Sequence, residues 1–250
     1  EEGYDARPGK YAPDSMILEE LSGSVTRLPG YREGLFHVQD EGAQLVTLLC
    51  GPFTPGARYL DACAGVGGKT CQLAQLKADG GEITAVEPHG SRYDLLRQNL
   101  QRLGLSSHVQ PFLGHLRGMA GTDPGRFDAV LVDAPCSGTG VIGRHPDIRW
   151  NRRPEDLHAY QRQQLELTDE AWLLLAPGGI LVYATCSMEP EENQEVVSSV
   201  LERHPDLVLT DCRDHLPESA RELVNADGFF SSTPAEGLDG FFAARLVRRA

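Results

Sequence analysis

The chain is 250 residues long, 40% hydrophobic and 24% charged, with a formal net charge of −13. That is enough for one full-sized domain with a real core and an ordinary globular composition. No apolar run approaches a bilayer span, no signal-peptide pattern opens the chain, and the acidic balance runs against bulk attraction to nucleic acid.

Residues 1 to 36 are rich in Gly, Pro and charge, with little periodicity, and read as the remnant of an N-terminal appendage or linker. Glu1 in place of Met fits a piece of something longer. From residue 37 to 250 a single domain is expected. Residues 41–50 (EGAQLVTLLC) read as a helix, 57–63 (ARYLDAC) as a strand, and Lys69 to Lys77 as a helix. Residues 82–87 (EITAVE) form a strand, and Ser91 to Leu103 a helix with Leu95, Leu96, Leu100 and Leu103 on one side. A weaker strand at 108–113 is interrupted by Pro111, and a strong one follows at 127–133 (FDAVLVD).

Pro154 suits the first turn of a long helix running to Leu175. Ala176-Pro177-Gly178-Gly179 terminates it, and 180–186 (ILVYATC) is the next strand. A further helix opens at Pro190, with Glu191 and Glu192 at its positive end. Residues 239–247 (DGFFAARLV) close the chain as a strand. This alternation predicts a mainly parallel sheet with helices on both faces, an α/β fold whose ligands bind beyond the carboxyl ends of the strands. There is no internal repeat.

Residues 61–70 (DACAGVGGKT) follow the first of these strands and open a helix. Glycines there let a ligand approach the backbone, and the helix N-terminus adds partial positive charge. The phosphate-binding pattern G-x-x-x-x-G-K-[ST] fails because position 63 is Cys63. The dinucleotide pattern G-x-G-x-x-G fails because position 70 is Thr70. What remains is a glycine-rich turn with an acid, Glu87, at the end of the next strand, where a carboxylate can accept both hydroxyls of a ribose. A nucleoside cofactor without phosphates, S-adenosylmethionine, suits this arrangement.

Six cysteines (Cys50, Cys63, Cys71, Cys136, Cys186 and Cys212) are too dispersed for a disulfide scaffold. They include no C-x-x-C pair, so free thiols in a cytoplasmic protein without a bound metal are expected. Cys136 and Cys186 each lie at the carboxyl end of a strand, on the functional edge. One such cysteine is ordinarily a small buried hydrophobe. Two of them, beside Asp133 and after a cofactor loop, point to chemistry. The arginine-rich run Arg144, Arg149, Arg152 and Arg153, with His145 among them, is either a solvated face or a patch for phosphates.

These parts suit methylation at carbon 5 of a pyrimidine. That carbon is a poor nucleophile until a thiolate adds at carbon 6; the methylated ring must then lose its carbon-5 proton so that the thiol can leave. The target base must also leave any helical stack.

At this point a resemblance is specific. The stretches LPGYREGLFHVQDEGAQ, DACAGVGGKT, FDAVLVDAPCSGTGVIGRHPDIRW, LLLAPGGILVYATCSMEPEEN and DGFFAARL run in the order of the Sun/Fmu (NOL/NOP/Sun) family of RNA cytosine-5 methyltransferases. They cover residues 28 to 247. The resemblance implies a Rossmann-like class I methyltransferase fold with a mainly parallel seven-stranded sheet, S-adenosylmethionine as donor, and ribosomal RNA as partner to a monomer. By position, Cys186 matches the nucleophile, Cys136 the cysteine that assists release, and Asp133 the acid contacting cytosine near the donor. Cys63, Ala64, Gly65, Val66, Gly67, Gly68 and Lys69 match the donor-binding loop, Glu87 the ribose acid, and Arg92 a neighbouring donor-site arginine. RHPDIRW resembles the segment flanking the RNA cleft.

The chain departs from the pattern where Gly65-Val66 replace an Ala-Pro pair. It also offers His115, with no acid, where the family has an adenine-contacting aspartate. The family's ribosomal members carry a NusB-like RNA-binding domain before this region, absent here. Two related enzymes fit less well. A methyltransferase acting on an exocyclic amine would carry an aromatic after its Pro-Pro in place of DAPC. A DNA cytosine methyltransferase would leave ATCS unexplained. A catalytically silent RNA-binding assembly factor is the alternative of a different class.

Overall fold

The computed structural model describes residues 5–19, 21, 23–119 and 126–250. In chain order, β1 (Ala6–Pro8) and β2 (Met16–Leu18) form a small antiparallel pair. There follow α1 (Glu41–Leu48), β3 (Arg58–Asp61), α2 (Gly68–Leu76), β4 (Glu82–Glu87), α3 (Gly90–Arg102), β5 (Val109–Leu113) and α4 (Leu116–Met119). Next come β6 (Phe127–Asp133), the one-turn α5 (Ile148–Asn151), the long α6 (Pro154–Leu174) and β7 (Leu175–Thr185). The chain ends with α7 (Gln194–Arg203), β8 (Leu207–Thr210), β9 (Phe230–Ser232) and β10 (Phe241–Arg248).

The main sheet runs β5-β4-β3-β6-β7-β10-β8, with the short β9 pairing beside β10 as an eighth strand. Strands β5 to β7 are mutually parallel, and β10 is antiparallel to each of its neighbours. Side chains on a strand alternate between faces, and both faces here are covered, so the strands are almost continuously apolar. Ala129 and Leu131 of β6, with Val182 and Ala184 of β7, pack toward Leu45 and Val46 of α1 and Leu73 of α2. Val130, Val132, Leu181 and Tyr183 face the opposite layer, with Leu165 and Leu174 of α6 and Val196 and Val200 of α7. The result is an α/β, Rossmann-like architecture, helices on both faces of a sheet parallel over five strands.

Four details differ from the sequence reading. Leu95 is 46% exposed, and α3 buries Leu96 and Leu100 instead, because its contact with the sheet is narrower than the leucine stripe. The Pro-Gly-Gly turn does not precede its strand but lies within it. Leu175 pairs with Phe127 and Ile180 with Ala129, so the residues between are looped out of the ladder. The helix expected at Pro190 is a 3-10 turn, Pro190–Glu192, broken from α7 at Asn193. Strands β1, β2, β8 and β9 had no counterpart in the periodicity, and the main sheet has eight strands where seven were expected. Pro111 is tolerated because β5 is an edge strand with β4 as its neighbour.

Among the contacts that pin the residues before α1 to this body, two stand out. The buried Glu41 carboxylate accepts from the amides of Tyr11 (2.9 Å) and Ala12 (2.9 Å) and from Ser15 Oγ (3.0 Å). Arg102, at the end of α3, donates to the carbonyls of Tyr31 (2.7 Å) and Phe36 (2.9 Å).

Candidate active site

At the carboxyl end of β3 the chain must turn sharply into α2, and a buried acid organises the turn. Asp61 is 1% exposed. Its carboxylate accepts from Thr70 Oγ1 at 2.6 Å and from the Cys63 amide at 3.3 Å, closing the loop on itself. Burial pushes the Asp61 carboxyl up to about 6, against the Thr70 hydrogen bond, with the neighbouring Asp133 charge adding to the rise. Ala64 is fixed by its amide to the Val86 carbonyl (2.9 Å), and the Val66 carbonyl accepts from Asn99 (2.9 Å).

Two glycines in this loop are required by its shape. Gly65 (φ 58°) and Gly67 (φ 96°) both adopt the left-handed region. A Cβ on Gly67 would also lie 2.6 Å from Leu96 Cδ1, whereas around Gly65 and Gly68 there is open space. Open backbone on one side and packed helix on the other is the surface a nucleoside-type donor needs. Across the loop, Glu87 ends β4 almost fully buried. It accepts from the His89 amide at 2.7 Å and pairs with Arg92 at 3.4 Å. The donor-loop residues, Glu87 and Arg92 are therefore gathered at adjacent strand ends. His115 is exposed after β5, and residues 114–119 supply no carboxylate.

Lys69 joins this half of the site to the next. Its ammonium lies 2.7 Å from Asp133 Oδ2 and 5.0 Å from the Phe241 ring centroid. Burial disfavours the Lys69 charge, yet the Asp133 carboxylate outweighs burial and raises the pKa. Beyond Asp133, at the ends of β6 and β7, the two thiols meet: Cys136 Sγ and Cys186 Sγ are 3.4 Å apart. The loops carrying them cross at close quarters. The Gly140 amide donates to the Cys186 carbonyl (3.0 Å) and the Gly240 amide to the Gly140 carbonyl (2.8 Å). A Cβ on Gly140 would sit 2.2 Å from the Gly240 carbonyl oxygen.

The six cysteines separate by environment. Burial pushes Cys71 up to about 12 and Cys212 up to about 11, and raises Cys50 and Cys63 as well. Cys186 moves the other way. The Cys136 S–H hydrogen bond lowers it first and the Lys69 charge assists, against burial and Asp133. Cys136 rises correspondingly through the same hydrogen bond, then burial, with Glu192 adding to it. Within the pair, the shared hydrogen bond thus favours ionisation of Cys186 over Cys136.

The arginine run divides in two. Arg144 is a clamp, paired with Asp40 (2.9 Å) and Asp239 (2.7 Å). Arg152 donates to the Ser137 carbonyl at 2.9 Å, seating α5 on the Cys136 loop. Arg149 and Arg153 are exposed, with no carboxylate in ion-pair range among the described residues. Between them Trp150 is 86% exposed, a residue the sequence reading passed over although a tryptophan inside an arginine run was its signal. No group of three or more His, Cys, Asp or Glu positioned to hold a metal occurs among the described residues.

The family model described as 16S rRNA methyltransferase RsmB/F matches residues 52–247. Ribosomal RNA small subunit methyltransferase B of Pseudomonas putida is 39% identical over 254 aligned residues, 100% of this chain and 56% of that protein. Its namesake in Vibrio cholerae is 39% identical over 99% of this chain and 54% of its own length. The chain thus spans a little over half the length of these curated relatives. Among solved structures, a methyltransferase homolog protein from Pyrococcus horikoshii superposes with a TM-score of 0.80 at 29% identity, covering 98% of this chain and 79% of that one. NSun6 from Pyrococcus horikoshii, solved with SFG, gives 0.78 at 25% identity, covering 92% and 57%. With the family model matching residues 52–247 and a relative 39% identical along the whole chain, the chain belongs to the 16S rRNA methyltransferase RsmB/F family.

Proposed function

We propose that the protein methylates carbon 5 of a cytosine in RNA, in small-subunit ribosomal RNA, with S-adenosylmethionine as donor. The observation that carries this reading is the pair of thiols 3.4 Å apart beside the Lys69–Asp133 ion pair. The residues present fit the donor: Gly65 and Gly68 leave the backbone open, and the buried Glu87, at the end of the neighbouring strand, offers a carboxylate for a ribose. Bound there, S-adenosylmethionine supplies an electrophilic methyl group.

The chain's own residues do the rest. The Cys186 thiolate adds to carbon 6, forming an S–C bond and moving the ring's electron pair to carbon 5, where the methyl is received. Asp133 holds the ring by its exocyclic amine, and Lys69 fixes Asp133 in place from the donor side. Solvent water accepts the carbon-5 proton, the C–H electron pair re-forms the carbon 5–carbon 6 double bond, and the S–C bond breaks to return the Cys186 thiolate. Cys136, which retains its proton beside the departing sulfur, assists this release. Arg149 and Arg153 attract phosphates locally despite the net negative chain, and Trp150 offers a face to an unstacked base.

The test is to supply methyl-labelled S-adenosylmethionine and unmodified small-subunit ribosomal RNA, then digest the RNA to nucleosides. Label in 5-methylcytosine is expected. Label in N4-methylcytosine overturns the carbon-5 assignment. Calorimetric titration of the donor addresses the silent-factor reading, which the want of an acid in residues 114–119 favours; no binding heat would support it.

A further inference from the structure

Glu192 is 0% exposed; it ends the 3-10 turn before α7, and its carboxylate sits between the two thiol loops. Its Oε1 accepts from the Ser137 amide at 2.8 Å and from Gln164 Nε2 at 3.0 Å. Its Oε2 accepts from Ser187 Oγ at 2.5 Å and from Ser137 Oγ. Ser137 and Ser187 are the residues that directly follow Cys136 and Cys186. A group with acceptors only and two oxygens is what four converging donors require. Around it, Gln164 also donates to the Pro135 carbonyl (3.0 Å), and Tyr183 OH to the Glu192 carbonyl (2.5 Å). Asn193 accepts from Thr185 (2.6 Å) and donates to the Ser187 carbonyl (2.9 Å).

We propose that Glu192 is a positioning residue for the two-thiol site: one buried carboxylate grips the residue after each cysteine and thereby sets the distance between the sulfurs. Without it, the loops stay joined through the Gly140 amide, the Ser137–Ser187 hydroxyl contact (3.2 Å) and the Met188 amide donating to Thr139 Oγ1 (2.9 Å), but the donors of Ser137, Ser187 and Gln164 lose their common acceptor. Leaving these donors unsatisfied in the interior favours separation of the loops. None of the side-chain partners of Glu192 belongs to residues 61–70, so its effect is expected on the thiols and not on donor binding. The inference takes the importance of the thiol pair from the function proposed above, but its geometry can be measured independently of that function.

Phenylarsine oxide is the probe, because one arsenic binds tightly only where two sulfurs can reach it together. The wild-type protein is expected to bind it well, and Cys136→Ser supplies the single-thiol baseline. Glu192→Ala is expected to lose about tenfold or more in affinity toward that baseline. Glu192→Asp, which keeps the charge but is one methylene short, behaves likewise and carries the test if the alanine variant does not fold. Glu192→Gln keeps the length and one carbonyl acceptor, and recovers most of the affinity. S-adenosylmethionine affinity stays within about threefold in every folded variant, since none of the four donors belongs to the donor loop. Unchanged arsenical affinity in folded Glu192→Ala or Glu192→Asp overturns the proposal, as does weak binding by the wild type. If the wild type transfers no methyl group to RNA, the functional reading falls, and the arsenical ranking still decides this one.

Discussion

Asp61 and Glu192 are both carboxylates shut away at the functional edge of the sheet, yet they hold their halves of the site differently. Asp61 closes a local turn: its partners, Cys63 and Thr70, are two and nine residues away, and left-handed glycines do much of the shaping. Glu192 gathers side chains and amides from 28 and 55 residues back, besides Ser187 in its own turn. The donor half is a backbone shape with one acid in its throat, whereas the thiol half is a convergence of distant side chains. Local sequence shows the first kind of construction and conceals the second.

The comparison breaks hardest at the thiols themselves. Cys186→Ala is expected to lower methyl transfer by about a thousandfold or more, because the proposed carbon-6 attack is assigned to that thiol. Donor affinity, measured calorimetrically in the same variant, stays near wild type. A parallel loss of donor binding would mean that the two halves are not separable.

The Asp61 turn gives a stability signature of its own. Its folded pKa of about 6 lies above the ordinary 3.8, so the folded state holds the proton over a window where the unfolded state has released it. That contribution favours folding below pH 4 and is lost as pH rises through 6, by about 3 kcal/mol for a shift of about two units. Asp61→Asn keeps a polar partner for Thr70 and removes the titration. Urea unfolding at acid and neutral pH is therefore expected to show the variant gaining on wild type as pH rises. A constant difference would place the Asp61 proton elsewhere.

The arginine run supplies the smallest effects and the cleanest internal control. Trp150→Ala is expected to weaken RNA binding by about tenfold, the cost of one lost base stack. Arg149→Ala flattens the salt dependence of binding by about one unit of slope. Arg144→Ala leaves that slope alone and costs stability instead, since its pairs with the largely buried Asp40 and Asp239 are intramolecular. Equal salt slopes for the two arginine variants would erase the division.

Much of the sheet was legible because its signals were local. The apolar runs at 82–87 and 127–133 became β4 and β6 with the same bounds. The helix from Pro154 began where its proline and early acids placed it. Four-residue β8 and three-residue β9 are too short for periodicity to register, and only the antiparallel β10 makes them strands. In the site, the glycine loop and both cysteines could be picked out from their positions after strands. The Lys69–Asp133 pair could not, because it joins positions 64 apart. Glu192 was misread for a related reason. An acid at a helix start ordinarily faces solvent and the helix dipole, and nothing local to PEEN announces Ser137.

The central claim is the division of labour between two touching thiols, with the thiolate on Cys186 and the proton on Cys136. It is tested most directly by incubating Cys136→Ala with donor and RNA and running the product on a denaturing gel. The account predicts a protein–RNA adduct, its mass increased by the RNA and one methyl group, which Cys186→Ala does not form. An adduct from Cys186→Ala, with none from Cys136→Ala, would contradict it and reverse the two roles.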